Sequence, residues 1–246
     1  MLIVLPPSEG KTRPADGPAL DLDDLSFPRL NRTRDQLLRA LVRLSGTRRA
    51  AEVLGLGPQQ AEDVERNARL TEEPTAPAIE VYTGVLYGEL GWHTLTPRGR
   101  ERGRRQVTVC SALFGLVRAE DRIPAYRMSG SVTLPRLGTV GGRWKPVLPA
   151  ALAEAADGEL VLDLRSGTYV NLGAAPEGAV TMRVLTEKDG RRTVVSHHNK
   201  ATKGAVVRRL LDEGVEAKDA AELVAALRDL GWNVEPSGRG RIDVVV

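Results

Sequence analysis

The chain has 246 residues, 41% of them apolar and 27% charged, a composition that supports a packed core and makes disorder not the default reading, and the length suits a single domain spanning 1–246. The net charge is only +3, yet 29 arginines stand against 6 lysines, a split that genomic base composition and guanidinium recognition of phosphate explain equally well. One Cys and three His exclude a disulfide framework and a Cys/His zinc site.

No run approaches the 18 apolar residues of a membrane span. The N-terminus, stopped by Pro6-Pro7, lacks the form of a signal peptide. The expectation is a soluble cytoplasmic protein without metal or cofactor.

Leu2 to Leu5 reads as a buried strand ending in the loop Pro6 to Thr12. Residues 13 to 31 read as a surface connection. From 33 to 70 the apolar spacing is helical, divided by Gly46 and by Gly55-Leu56-Gly57-Pro58. A further helix is expected from Ala78 to Leu90, then an arginine-rich loop from Pro97 to Gln106 and a buried strand from Val107 to Cys110. A helix from Trp144 to Ala156 closes at Gly158 and precedes a strand at Leu160 to Leu162. Residues 180–186 and 192–196 flank Lys188-Asp189-Gly190 as a hairpin. Helices at 199–213 and 218–230 and a final strand from Ile242 to Val246 follow. This irregular alternation points to α/β or α+β with a mixed sheet and flanking helices, not to a doubly wound sheet.

Five stretches carry polar sets that chemistry could use. Ser8-Glu9-Gly10-Lys11-Thr12 has the look of a phosphate loop, but the required spacing would place Gly where Leu5 stands. What remains is a hydroxyl, a carboxylate and an ammonium at a strand end, or a solvated turn with a local Glu9–Lys11 pair. Gly55 and Gly57 between helices resemble a helix-hairpin-helix turn whose N–H groups face DNA phosphate without reading bases. A capped interhelical turn accounts for the same residues.

Ser111 to Gly115, with Asp121, Tyr126 and Arg127, has the composition of a pocket rim, Asp121 as a base and Arg127 as an anion holder; an Asp121–Arg127 ion pair pinning a loop would look the same. Ser166 and Tyr169 follow Asp163 in a similar pattern. Lys200 and Lys203 share a helix face near its start, where cations oppose the helix dipole unless they meet an anion. His197 and His198 have too few partners to suggest a metal site.

Taken in order, these motifs resemble the YaaA family of bacterial peroxide stress proteins. The resemblance rests on Pro6 to Thr12, Tyr82-Thr83-Gly84-Val85 with Tyr87, Ser111 to Leu116 with Asp121, Ile123, Pro124, Tyr126 and Arg127, then Trp144, Asp163-Leu164-x-Ser166-x-x-Tyr169 and Lys200-x-x-Lys203-Gly204. It spans nearly the whole chain, and departs from enterobacterial members at Glu9.

The resemblance implies a role in hydrogen peroxide stress that limits iron-dependent damage to DNA, a mixed α and β fold, and a DNA-linked helix-hairpin-helix segment. Two functions from different classes follow. One is non-specific binding of double-stranded DNA involving Gly55 and Gly57. The other is an enzyme acting on a nucleotide-like anion, with N-glycosidic cleavage as the reaction. In that case Glu9, Lys11 and Asp121 are catalytic, while Ser8, Thr12, Ser111, Tyr126, Arg127, Ser166, Tyr169, Lys200 and Lys203 bind. The sequence leaves both open.

Overall fold

The computed structural model describes residues 1–188, 191–194 and 196–246, without the side chains at 188, 194 and 196–198. Seven strands form the path of the central sheet, in the spatial order Val234–Pro236, Arg241–Val245, Val180–Lys188, Val161–Asp163, Leu2–Leu5, Val107–Ser111 and Gly115–Arg118. Arg191–Val194 pairs antiparallel with Val180–Lys188 off this path.

Leu2–Leu5 lies at the centre, parallel to Val107–Ser111 on one side and Val161–Asp163 on the other. All four of its residues are buried, as a strand covered on both faces requires. Antiparallel pairs finish the two edges, so the sheet is mixed and mostly parallel, and helices flank it. Because the central strands run the same way, Leu5, Ser111 and Asp163 deliver their following loops to one edge, where α/β proteins place ligands.

The helical region consists of Asn31–Ser45, Ala50–Leu54 and Ala61–Ala68. The stretch expected as one helix from Ala78 to Leu90 is two, Ala78–Val81 and Val85–Leu90. Between them Tyr82 is extended, bridged to Lys11, and Gly84 has φ 97, a value that favours glycine. The helix expected from Trp144 to Ala156 starts only at Leu148 and runs to Ala156, and Trp144 ends a separate short helix, Val140–Trp144.

Pro97–Gln106, expected as a loop, is a helix. Thr96 caps it by accepting the Gly99 N–H at 2.9 Å, and Pro97 sits at the first turn, where its missing N–H does no harm. Gly99, Gly103 and Gln106 form its buried face, with the Trp92 ring against Gly103. Arg98, Arg104 and Arg105 are exposed, with Glu101 pairing with Arg104 at 3.0 Å and Arg105 at 3.2 Å, while the half-buried Arg102 donates to the Leu211 carbonyl at 2.6 Å.

Ser196–Glu213 packs across Val85–Leu90, Pro97–Gln106 and Val180–Lys188. Gly204 sits at the closest approach, with Leu86 backbone where a Cβ would project. The short strand Val234–Pro236 carries too little pattern to be read from sequence. Asp189 and Gly190 of the expected hairpin turn lie outside the described residues, as do the side chains of Ser196, His197 and His198.

Candidate functional site

A cleft of about 360 Å³ opens at the edge where the central strands end. One wall is Pro6 to Gly10, another Thr83 to Tyr87, and Ser166, Tyr169 and Lys200 complete it. The two loops are tied together. Ser8 Oγ accepts the Thr83 N–H at 2.9 Å and donates to the Gly10 carbonyl at 2.5 Å, while Tyr87 donates its hydroxyl to the Pro6 carbonyl at 2.7 Å.

Lys11 follows directly after this wall. Its amine donates to the Ser8 carbonyl at 2.9 Å and sits 4.2 Å from the centre of the Tyr126 ring and 5.4 Å from that of Tyr82, within cation–π range. No carboxylate lies within ion-pair distance of it among the described residues. Burial, opposed by Glu9 and assisted by Arg127, lowers its pKa to about 7. The local Glu9–Lys11 pair expected of a solvated turn is therefore absent: Glu9 faces Arg127 at 3.4 Å, and Arg127 also donates to the Glu9 backbone carbonyl at 2.7 Å.

Beneath Lys11 runs a chain of hydroxyls. Ser111 and Tyr126 meet at 2.8 Å and Tyr126 and Tyr82 at 3.3 Å, with Ser111 accepting the Phe114 N–H at 3.0 Å. Burial raises the pKa of Tyr82, Tyr87, Tyr126 and Tyr169, so all four remain neutral phenols at ordinary pH. These are the four tyrosines of the chain, and sequence reasoning placed only Tyr126 and Tyr169 at the site. Tyr82 and Tyr87 stack with ring centres 5.7 Å apart. Their crowding, with few aromatics elsewhere, was the available signal. Asn67 gave none: it is fully buried and exchanges hydrogen bonds with the Arg127 backbone at 2.7 and 2.9 Å.

The structure thus brings together Ser8, Glu9, Lys11, Ser111, Tyr126, Arg127, Ser166, Tyr169 and Lys200. Asp121 does not join them. It lies at the opposite end of Gly115–Arg118 from Ser111, where it accepts from Ser26 Oγ at 2.7 Å and from the Arg118 N–H at 3.0 Å. The expected Asp121–Arg127 pair does not form either, because Arg127 is held by Glu9. Thr12 is exposed, its N–H bonded to the Val81 carbonyl at 2.9 Å. Lys203 is withdrawn, donating to the Leu164 carbonyl at 3.3 Å, and burial lowers its pKa against the opposing charge of Asp163. Lys200 alone of the two lines the cleft.

Behind the cleft, Asp163 and Arg165 form a buried bidentate pair at 2.9 and 2.8 Å. Arg165 also donates to the Gly173 carbonyl at 3.0 Å and the Tyr169 carbonyl at 3.3 Å. Cys110 is buried there and its thiol is pushed up to about 11, chiefly by burial, so it stays protonated and unreactive.

Gly55 and Gly57 do not form a phosphate-facing hairpin. The Gly55 N–H is bonded to the Glu52 carbonyl at 3.1 Å and the Leu56 N–H to the Ala51 carbonyl at 2.8 Å. The Gly57 N–H is taken by the Gln60 side chain at 3.0 Å. All three donors are spent within the turn, which is a capped interhelical connection. A larger groove of about 510 Å³ lies nearby, bordered by Arg43, Arg49 and Arg136.

Comparison with known proteins agrees with the motif order. A family model described as peroxide stress protein YaaA matches residues 1–237. A UPF0246 protein of Streptomyces coelicolor is 44% identical over 257 residues, covering 100% of this chain and 98% of its own. A UPF0246 protein of Corynebacterium efficiens is also 44% identical, over 96% of this chain and 95% of its own. An uncharacterized protein of Campylobacter jejuni is 26% identical over 92% and 90% of the two chains. With the family model covering residues 1–237 and relatives 44% identical over nearly their whole length, the chain belongs to the YaaA peroxide stress protein family.

Proposed function

We propose that this protein serves the hydrogen peroxide response in the cytoplasm by binding, and acting on, a nucleotide or other nucleobase-containing anion in the cleft beside Lys11. The observation that carries this is the joint placement of Lys200, Ser8, Tyr87 and Tyr169 around one opening at the sheet edge, next to a lysine that has no carboxylate partner among the described residues. Flat aromatic and proline surfaces suit a base, and Lys200 suits a phosphate. The volume falls within the ordinary range for small-molecule sites.

For cleavage of an N-glycosidic bond, Asp121 is too firmly engaged by Ser26 and Arg118 to act. Glu9 is the carboxylate of the cleft wall and takes the acid–base role. Calorimetric titration of the purified protein with nucleosides, nucleotides and free phosphate tests the reading. Binding of a nucleotide that Lys200→Ala weakens about tenfold, with Glu9→Gln slowing any base release, supports it. Absence of binding across the panel overturns it.

A second reading keeps non-specific contact with double-stranded DNA, limiting iron-dependent damage by covering the duplex. It is favoured by the groove whose rim carries Arg43 and Arg136, both exposed. Neither arginine makes a salt bridge or side-chain hydrogen bond among the described residues. Duplex affinity should then fall steeply with salt and drop on Arg43→Ala with Arg136→Ala. Unchanged affinity in that double variant removes the groove from consideration.

A further inference from the structure

We infer that Lys11 is a nucleophile toward carbonyl carbon, forming an imine with the aldehyde form of a sugar phosphate held in the cleft. The inference rests on the cleft taking a nucleotide-like ligand, because loss of a base leaves a sugar whose C1 equilibrates with an aldehyde.

The geometry is that of an amine kept uncommitted. Among the described residues Lys11 Nζ makes one hydrogen bond, to the Ser8 carbonyl at 2.9 Å, which fixes it against a residue of the cleft wall. The remaining surroundings are the faces of Tyr126 and Tyr82. Those rings attract a cation and do not remove the lone pair from a neutral amine. The charged groups acting on it are Glu9, Arg127 and Asp63; Glu9 is engaged with Arg127 at 3.4 Å and Asp63 with Arg66 at 2.7 Å. An amine that has no carboxylate partner among the described residues and is desolvated by aromatic rings is in the environment that frees lysine for Schiff-base chemistry. Burial and Arg127 lower its pKa to about 7, so a large fraction is unprotonated at neutral pH.

The step balances without an outside oxidant or reductant. The Nζ lone pair forms a bond to the aldehyde carbon, and the carbonyl π electrons move to oxygen, which takes up the proton that nitrogen loses. The resulting hydroxyl leaves as water after a second protonation, while the C=N bond forms. Glu9, exposed at the cleft wall, can exchange protons with solvent during both transfers. Lys200, lining the same cleft, meets the phosphate.

The test is borohydride trapping on the full-length protein at neutral pH, with ribose 5-phosphate as one probe and glyoxylate as a second, smaller aldehyde. Peptide mapping by mass spectrometry should find the reduced adduct on Lys11 in roughly tenfold or greater preference over each of the other five lysines. Lys11→Arg keeps the cation and should abolish the adduct. Should that variant not fold, the distribution of label over the six lysines of the native chain decides alone. Lys200→Ala should slow trapping of ribose 5-phosphate several-fold and leave glyoxylate unaffected. Label spread evenly over the lysines, or no trapping with either aldehyde, overturns the inference. Glyoxylate trapping at Lys11 in a protein that binds no nucleotide would leave the nucleophile standing and remove the nucleotide reading.

Discussion

Glu9 and Arg127, 118 positions apart in the chain, are joined twice: the guanidinium reaches the Glu9 carboxylate at 3.4 Å and donates to its carbonyl at 2.7 Å. Both charges act on the Lys11 amine, with opposite sign. Arg127→Met should therefore raise the pKa of Lys11 above about 7, and Glu9→Gln should lower it. The pH midpoint of amine labelling at Lys11, followed by mass spectrometry, reads both. Midpoints that move in the same direction in the two variants would show that the pair acts by holding the loop and not by charge.

The same lysine sets a pH dependence of stability. Its folded pKa, about 7, lies below the 10.5 of an ordinary lysine, so between these limits the unfolded chain binds more protons. Its contribution to stability therefore rises as pH increases from about 7 to about 10.5, and below pH 7 the penalty of a buried charge is fully present. Lys11→Met, lacking that charge, should flatten this segment of a urea-melt series against pH. A slope identical to that of the native protein would contradict the assignment.

Asp163 and Arg165 are almost wholly withdrawn from solvent, with side chains 3% and 0% exposed. Removing one partner strands the other, and Asp163→Asn or Arg165→Met should cost about 3–5 kcal/mol. Replacing both with apolar residues should cost less than either single change. Denaturant titrations of the three variants test this, and a double variant no more stable than the better of the two single ones would refute it.

Gly204 marks the crossing of Ser196–Glu213 over Val85–Leu90, and an added methyl would meet the Leu86 backbone. Gly204→Ala should destabilise by about 1–3 kcal/mol through overpacking. Because Leu86 and Lys200 both line the cleft, ligand binding should weaken as well. An alanine variant with native melting temperature and affinity would show that the helices part without consequence.

The apolar strands were legible because burial on both faces leaves a run such as Leu2-Ile3-Val4-Leu5, which few other structures explain. Pro97–Gln106 was not, since five arginines and two glycines hide a helix whose signal lay in the Thr96-Pro97 cap and in the Gly99 and Gly103 spacing. At the site, Ser8, Glu9, Lys11 and Arg127 could be picked out as polar groups beside strand ends. Asp121 shows the limit of that logic. A carboxylate among Ser and Arg reads identically whether its partners are ligands or, as here, Ser26 and the Arg118 backbone. Gly55 and Gly57 show it again, for the sequence displays glycines without revealing where their N–H groups are spent.

The walls of the cleft come from positions 6–10, 83–87, 166–169 and 200, so no contiguous fragment contains it. Contacts between such distant segments form only after long loops close, and chains that depend on them fold more slowly than those built from local contacts. The cleft should thus be among the last features to appear during refolding. Ligand capture would then report completion of the whole chain, and truncation before the helix bearing Lys200 should abolish it even where the strand core survives.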